Sequence, residues 1–200
     1  LNALVEDSGI PGRELGVNQP WGFAPSLAYG LGTDFRAIFA YEHVSRRDRP
    51  DWGVPAATIP GLITYNPLTQ GARRDAYYGL RSDFDNTDSD VALARFEYDL
   101  AKNVTISNQT RWSQVDRTSR FTTVTNAGAS VGSFLPPNTV PTQTLFYDRM
   151  NTTLTNLTNL SAEFYTGSFK HNISTGLEFS REDSTANRFG SIAGATTLFS

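Results

Sequence analysis

With 200 residues, a formal net charge of −3, 38% hydrophobic and 18% charged residues, the chain is too apolar to be disordered and suits one domain or a piece of a larger one. No stretch approaches the roughly 18 apolar residues of a membrane-crossing helix, and the mild acidity offers nothing to a nucleic acid. The absence of cysteine removes disulfides and thiolate metal sites.

Residues 1–7 read as the end of a strand, with no basic or apolar signal segment before them, so the sequence is expected to begin inside a longer protein. In "WGFAPSLAYGL" the odd positions Trp21, Phe23, Leu27, Tyr29 and Leu31 are large and the even ones small. That period of two is a strand with unlike faces, although Pro25 sits awkwardly in its middle. "GLGTD" turns the chain. "FRAIFAYEHVSR" then sets Phe35, Ala37, Phe39 and Tyr41 against Arg36, Ile38, Ala40 and Glu42. A second pair follows: "SDVALARFEYDL", the turn "AKN", and "VTISNQTRWSQV". The third is "TTLTNLTNLSAEFY", the turn "TGS", and "FKHNISTGLEFSRE". In its last strand Phe169, His171, Ile173, Thr175, Leu177 and Phe179 oppose Lys170, Asn172, Ser174, Gly176, Glu178 and Ser180. Leu157 breaks the alternation from the polar side.

Short turns near 31–34, 100–103 and 166–168 alternate with long segments near 8–20, 47–87, 121–150 and 183–200. Compact domains rarely carry such long loops without a use for them. Short turns at one end and long loops at the other match an outer-membrane β-barrel, with turns in the periplasm and loops outside. Phe35, Phe96, Tyr98, Phe164, Tyr165 and Phe169 flank the short turns, where a periplasmic aromatic girdle would sit. The expected fold is therefore all-β: an antiparallel up-and-down meander of about seven strands, its apolar faces on lipid and its charged faces inward. A soluble β-sandwich would also alternate. It predicts that the large residues from Trp21 to Leu31 pack against a second sheet.

Catalysis finds no support. The two histidines, His43 and His171, lie on different strands, and the glycines near Gly30 and Gly32 cradle no phosphate. Asp83, Asp85, Asp88 and Asp90 crowd together but lack the spacing of a calcium loop. No enzyme, no metal site and no cofactor is expected.

The phrases "RFEYDLAKNVTISNQTRWSQVDR" and "LSAEFYTGSFKHNISTGLEFSRE" resemble the barrel of TonB-dependent outer-membrane receptors. "DSGIPGRELGVNQPWGFAPSLAYGLGTDFRAIFAYEHVSRRDRPDWGVP" and "AYYGLRSDFDNTDSDVALARFEYDL" look like the catecholate siderophore branch. The resemblance runs from Leu1 to about Glu182. It implies a segment of a 22-stranded transmembrane barrel without its plug, unstable outside its parent. It implies uptake of a ferric siderophore powered by TonB–ExbB–ExbD through the plug, with lipid and lipopolysaccharide around the wall. A passive porin, a receptor for another nutrient and a soluble ligand-binding module remain the alternatives.

A ferric catecholate is an anion with aromatic faces. Guanidinium groups supply charge, donors and stacking, and Tyr and Trp supply flat apolar contact. The long segments gather such residues: Arg46, Arg47, Arg49 and Trp52; Arg73, Arg74, Tyr77, Tyr78 and Arg81; Arg117 and Arg120, followed by Phe121. These are the candidate ligand contacts. The iron would travel as cargo inside the chelate and need no protein ligand. Salt bridges to Asp48, Asp51 and Asp75, or to lipopolysaccharide phosphates, are the competing use of the same arginines.

Overall fold

A computed structural model describes residues 1–55, 59–62, 72–125 and 139–197. The strands are β1 (Asn2–Val5), β2 (Ser8–Gly9), β3 (Val17–Asn18), β4 (Pro20–Ala24), β5 (Ser26–Tyr29) and β6 (Phe35–Asp48). Four long ones follow: β7 (Phe84–Ala101), β8 (Val104–Val124), β9 (Thr139–Thr166) and β10 (Phe169–Thr197). One antiparallel sheet runs in the order β1-β4-β6-β7-β8-β9-β10, with β5 also beside β6. β2 and β3 form a separate hairpin.

β4 and β5 are two halves of one strand. Phe23 pairs with His43 and Ser26 with Ala40, so the register carries through Pro25. Proline has no N–H for the ladder, yet its carbonyl still accepts the Tyr41 N–H at 3.1 Å. The connections at one end are short: 30–34, 102–103 and 167–168. Gly30 there has φ +70°, and a Cβ on it would stand 2.1 Å from the Phe35 carbonyl oxygen. Only glycine fits.

Among the described residues no second sheet packs over the Trp21–Leu31 face of the first. Leu27, Tyr29 and Leu31 stay 67–69% exposed, so the sandwich expectation fails. The cross-strand register instead assembles one apolar face. It runs through Phe35 and Phe39, Phe96 and Tyr98, Ile106 and Trp112, Leu154 and Leu160, then Phe169 to Phe179. This band spans nine residues on β8 (104–112) and eleven on β10 (169–179). A strand tilted across a bilayer needs about 9–11. Inside the band, Asn108 and Asn156 exchange amide hydrogen bonds at 3.0 and 3.2 Å. They also donate to Thr158 and Thr110 at 2.8 and 2.7 Å. The four polar groups satisfy one another, which hydrocarbon surroundings require.

The other face carries the charges. Arg36 binds Asp99 at 2.7 and 2.8 Å and Glu97 at 3.0 Å, and Lys170 binds Glu163 at 2.8 Å. Tyr165 belongs here: it pairs with Lys170 and is not part of the outward aromatic girdle. Ile173 lies mid-band on the outward face. Ile173→Arg should destabilise the folded wall by about 2–4 kcal/mol, whereas Ser174→Arg, one residue along and facing inward, should cost far less. Unfolding of the two variants in bilayers measures the difference.

The long-loop boundaries need correction. β8 continues to Val124, β9 starts at Thr139 and β10 runs to Thr197, so most of 183–200 and the flanks of 121–150 are strand. β9 and β10 have 28 and 29 residues, more than twice the band. Beyond the band lipid no longer selects one face: the upper end of β9 is covered, with Val140, Thr142, Thr144 and Leu145 buried, while upper β10 is exposed, so the alternation stops while the ladder goes on. Threonine-rich, β-branched stretches such as "TTV" and "TVPTQT" sustain it. Segment 8–20 likewise contains the β2–β3 hairpin, and β7 starts at Phe84, inside 47–87.

Candidate functional site

Above the band, the inward face of β8 presents Arg117, Ser119 and Phe121 in alternation. The register sets Tyr147 of β9 opposite Ser119, and Arg149 opposite Arg117. Arg188 of β10 lies opposite Tyr147. Trp52, from the connection after β6, stacks on Phe121 with centroids 4.3 Å apart and planes at 22°. Phe121 stacks on Tyr147 at 5.5 Å and 4°, and the Arg188 guanidinium lies 5.4 Å from the Tyr147 ring. Trp52, Arg117, Ser119, Phe121, Tyr147 and Arg149 line one hollow of about 250 Å³. It sits five to nine residues beyond Trp112, about 17–30 Å along the strand.

The charges of this hollow do not balance. Arg117 is held by Asp85 through two bonds of 2.7 and 2.5 Å. Arg149 faces Arg117 directly across the ladder, an arrangement that repels unless something negative lies between them. Among the described residues neither Arg149 nor Arg188 has a carboxylate partner. A flat aromatic shelf beside two guanidiniums with no carboxylate partner among the described residues can take an anion with aromatic faces.

The remaining sequence candidates are spread elsewhere. Arg46 points inward but is bound to Asp48 at 2.7 Å. Arg47 points outward and clamps Asp88 at 2.9 and 2.8 Å. Arg49 reaches the Leu15 carbonyl at 3.3 Å. Arg73 is bound to Asp75 at 2.7 Å, and that contact holds the Asp75 carboxyl below its ordinary range. Arg74 and Arg81 are exposed. Arg120 lies on the outward face of β8, between the rings of Phe84 and Phe146 at 5.6 and 5.8 Å.

Tyr77 and Tyr78 are buried. They form the loop's small core and not its ligand surface, because Ala76, Tyr78 and Val140 pack together while the Tyr77 hydroxyl reaches the Pro50 and Leu80 carbonyls at 3.1 and 3.2 Å. Burial, with Asp83 nearby, pushes the Tyr77 hydroxyl far above its ordinary range. It stays a neutral donor. Among the described residues no group of three or more His, Cys, Asp or Glu side chains is placed to hold a metal ion.

Sequence reasoning reached Trp52, Arg117 and Phe121 but missed Tyr147, Arg149 and Arg188. These three lie where loops were expected. Had the strands been extended through "LFYDRM" and "ANRF", Tyr147 and Arg149 would have shared one face of β9.

No family model matches the chain. It is 37% identical over 198 residues to the catecholate siderophore receptor Fiu of Escherichia coli K12, covering 92% of this chain and 26% of that protein. It is 27% identical over 169 residues to the probable TonB-dependent siderophore receptor PiuA of Acinetobacter baumannii, covering 80% of this chain and 21% of that one. The chain thus spans about a quarter of the length of these relatives. The closed-form crystal structure of the ferric-catecholate import receptor Fiu superposes with a TM-score of 0.85 at 36% identity, over 99% of this chain and 29% of that one. The ferric preacinetobactin receptor BauA of Acinetobacter baumannii shares the fold, with a TM-score of 0.76 at 15% identity, over 100% of this chain and 28% of that one. The large antiparallel sheet, with one lipid-matched face and one charged face, agrees with both comparisons: the chain belongs to the TonB-dependent siderophore receptors, as a segment of their outer-membrane β-barrel.

Proposed function

We propose that this chain is one part of the wall and outer mouth of a receptor that binds a ferric siderophore of the catecholate class and passes it inward. The work is binding and gated passage, without bond chemistry. The whole receptor closes its barrel with further strands, 22 in all, and draws energy from TonB–ExbB–ExbD through a plug. Lipid and lipopolysaccharide surround the outward face. The iron is cargo held by its chelate.

One observation carries the catecholate reading: the Trp52–Phe121–Tyr147 shelf stands beside Arg149 and Arg188, which have no carboxylate partner among the described residues. Catechol rings can lie on the shelf while the guanidiniums meet the chelate's negative charge. A passive porin needs no such shelf.

Uptake of labelled iron by cells carrying the full-length receptor tests this reading. Ferric catecholate should enter and ferric hydroxamate should not, and entry should stop when TonB is removed. Entry that persists without TonB would return the porin, and entry of only the hydroxamate would change the cargo class.

A further inference from the structure

We infer that Arg13 is a positioning residue for the outer-mouth hollow: it holds Trp52 on the Phe121–Tyr147 stack and so sets the grip on an aromatic chelate. This rests on reading the hollow as the chelate site.

Arg13 comes from the turn of the β2–β3 hairpin, closed by Ile10 N–H on the Gly16 carbonyl at 3.1 Å. Its guanidinium leaves that hairpin and enters the loop between β6 and β7. Nε and Nη2 donate to the two oxygens of Asp51 at 2.7 and 2.9 Å. Nη2 also reaches the carbonyls of Ala76 at 2.9 Å and Gly53 at 3.3 Å, and Nη1 reaches that of Arg74. The Arg13 and Asp51 side chains are only 13% and 4% exposed, so solvent screens the pair little.

The partners bracket one residue. Asp51 and Gly53 are the two neighbours of Trp52. The Asp51 carboxylate also accepts the Gly53 N–H at 2.7 Å, and Gly53 holds φ +87°, a conformation that side chains disfavour. With both neighbours fixed, the backbone at Trp52 is held where the half-exposed indole reaches Phe121. A lysine at position 13 has no planar fork and could not serve Asp51 and three carbonyls together.

The experiment uses the full-length receptor. Amide exchange of residues 51–54 is followed without ligand, and the Kd for a ferric catecholate is measured for the wild type, Arg13→Gln, Arg13→Lys, Trp52→Ala and the double variant Arg13→Gln/Trp52→Ala. Both Arg13 variants should speed exchange at 51–54 while β8 and β9 stay protected. They should weaken binding about tenfold, as Trp52→Ala does. In the Trp52→Ala background Arg13→Gln should add less than about a twofold change, because a residue acting only through Trp52 has nothing left to act on. A full, additive penalty in that background, or unchanged exchange at 51–54, overturns the inference. Faster exchange with no loss of affinity in any variant overturns it at its premise: Arg13 would hold Trp52, but the hollow would not be the chelate site.

Discussion

Asp83→Ala is expected to release the loop between β6 and β7 while the sheet stays standing. The Asp83 side chain is 1% exposed and ties three segments together. One oxygen accepts the N–H of Leu80 and the N–H of Thr122, both at 2.9 Å. The other accepts the Thr122 hydroxyl at 3.1 Å, which is itself 2.9 Å from the Thr144 hydroxyl of β9. The Tyr77 hydroxyl lies 3.4 Å away. Alanine would strand two backbone donors in a buried site and leave Arg120, 4.0 Å off, without its carboxylate. Stranded groups of this kind cost about 3–5 kcal/mol locally. Exchange should rise across 76–84 and at Thr122, with the lower halves of β8 and β9 unchanged. Asp83→Asn keeps one acceptor oxygen and should fall between the two. Unchanged exchange in the alanine variant would mean that the loop is held by its apolar core alone.

The second large effect concerns charge. Arg149→Glu together with Arg188→Glu should weaken ferric catecholate binding by about a hundredfold or more. The hollow would lose Arg149 and the neighbouring Arg188, neither with a carboxylate partner among the described residues, and set two carboxylates against an anion. The affinity of the wild type should fall as salt rises, and that of the double variant should not. The same reversal at Arg46 and Arg47 should matter little, since Asp48 and Asp88 already occupy them. Equal losses from both pairs would point to a general field of positive charge at the mouth instead of a built hollow.

The membrane band was legible because physics writes it into every second residue. Lipid on one side and a polar interior on the other force the alternation from Phe169 to Phe179, and the tight turns carry their own signals at Gly30 and "TGS". Above the band that code disappears. Arg181 to Thr197 has no apolar period, yet it is paired residue by residue with β9, apart from a bulge between Phe189 and Ile192. A strand with water on both faces gives no hydrophobic signature, so the sequence reads there as loop.

The site was half legible for the same reason. Trp52 and Arg117 are conspicuous by type. Arg149 and Arg188 are ordinary arginines until the register places them beside Tyr147, and register across 125–138 is not written in either strand alone. Composition also overvalued Tyr77 and Tyr78. Two adjacent tyrosines near arginines look like a ligand surface, but their burial depends on Asp83, Pro50 and Val140, which approach only in the fold. Arg13 drew no notice because a single arginine in a turn is commonplace. Its weight comes from Asp51, 38 residues away.

The most direct test of the account is a structure of the full-length receptor with a ferric catecholate bound. A catechol ring should lie on the Trp52 or Tyr147 face at stacking distance, with guanidinium nitrogens of Arg149 or Arg188 within hydrogen-bond reach of the chelate oxygens. A chelate seated elsewhere in the mouth, with the Trp52–Phe121–Tyr147 shelf open to water, would contradict it.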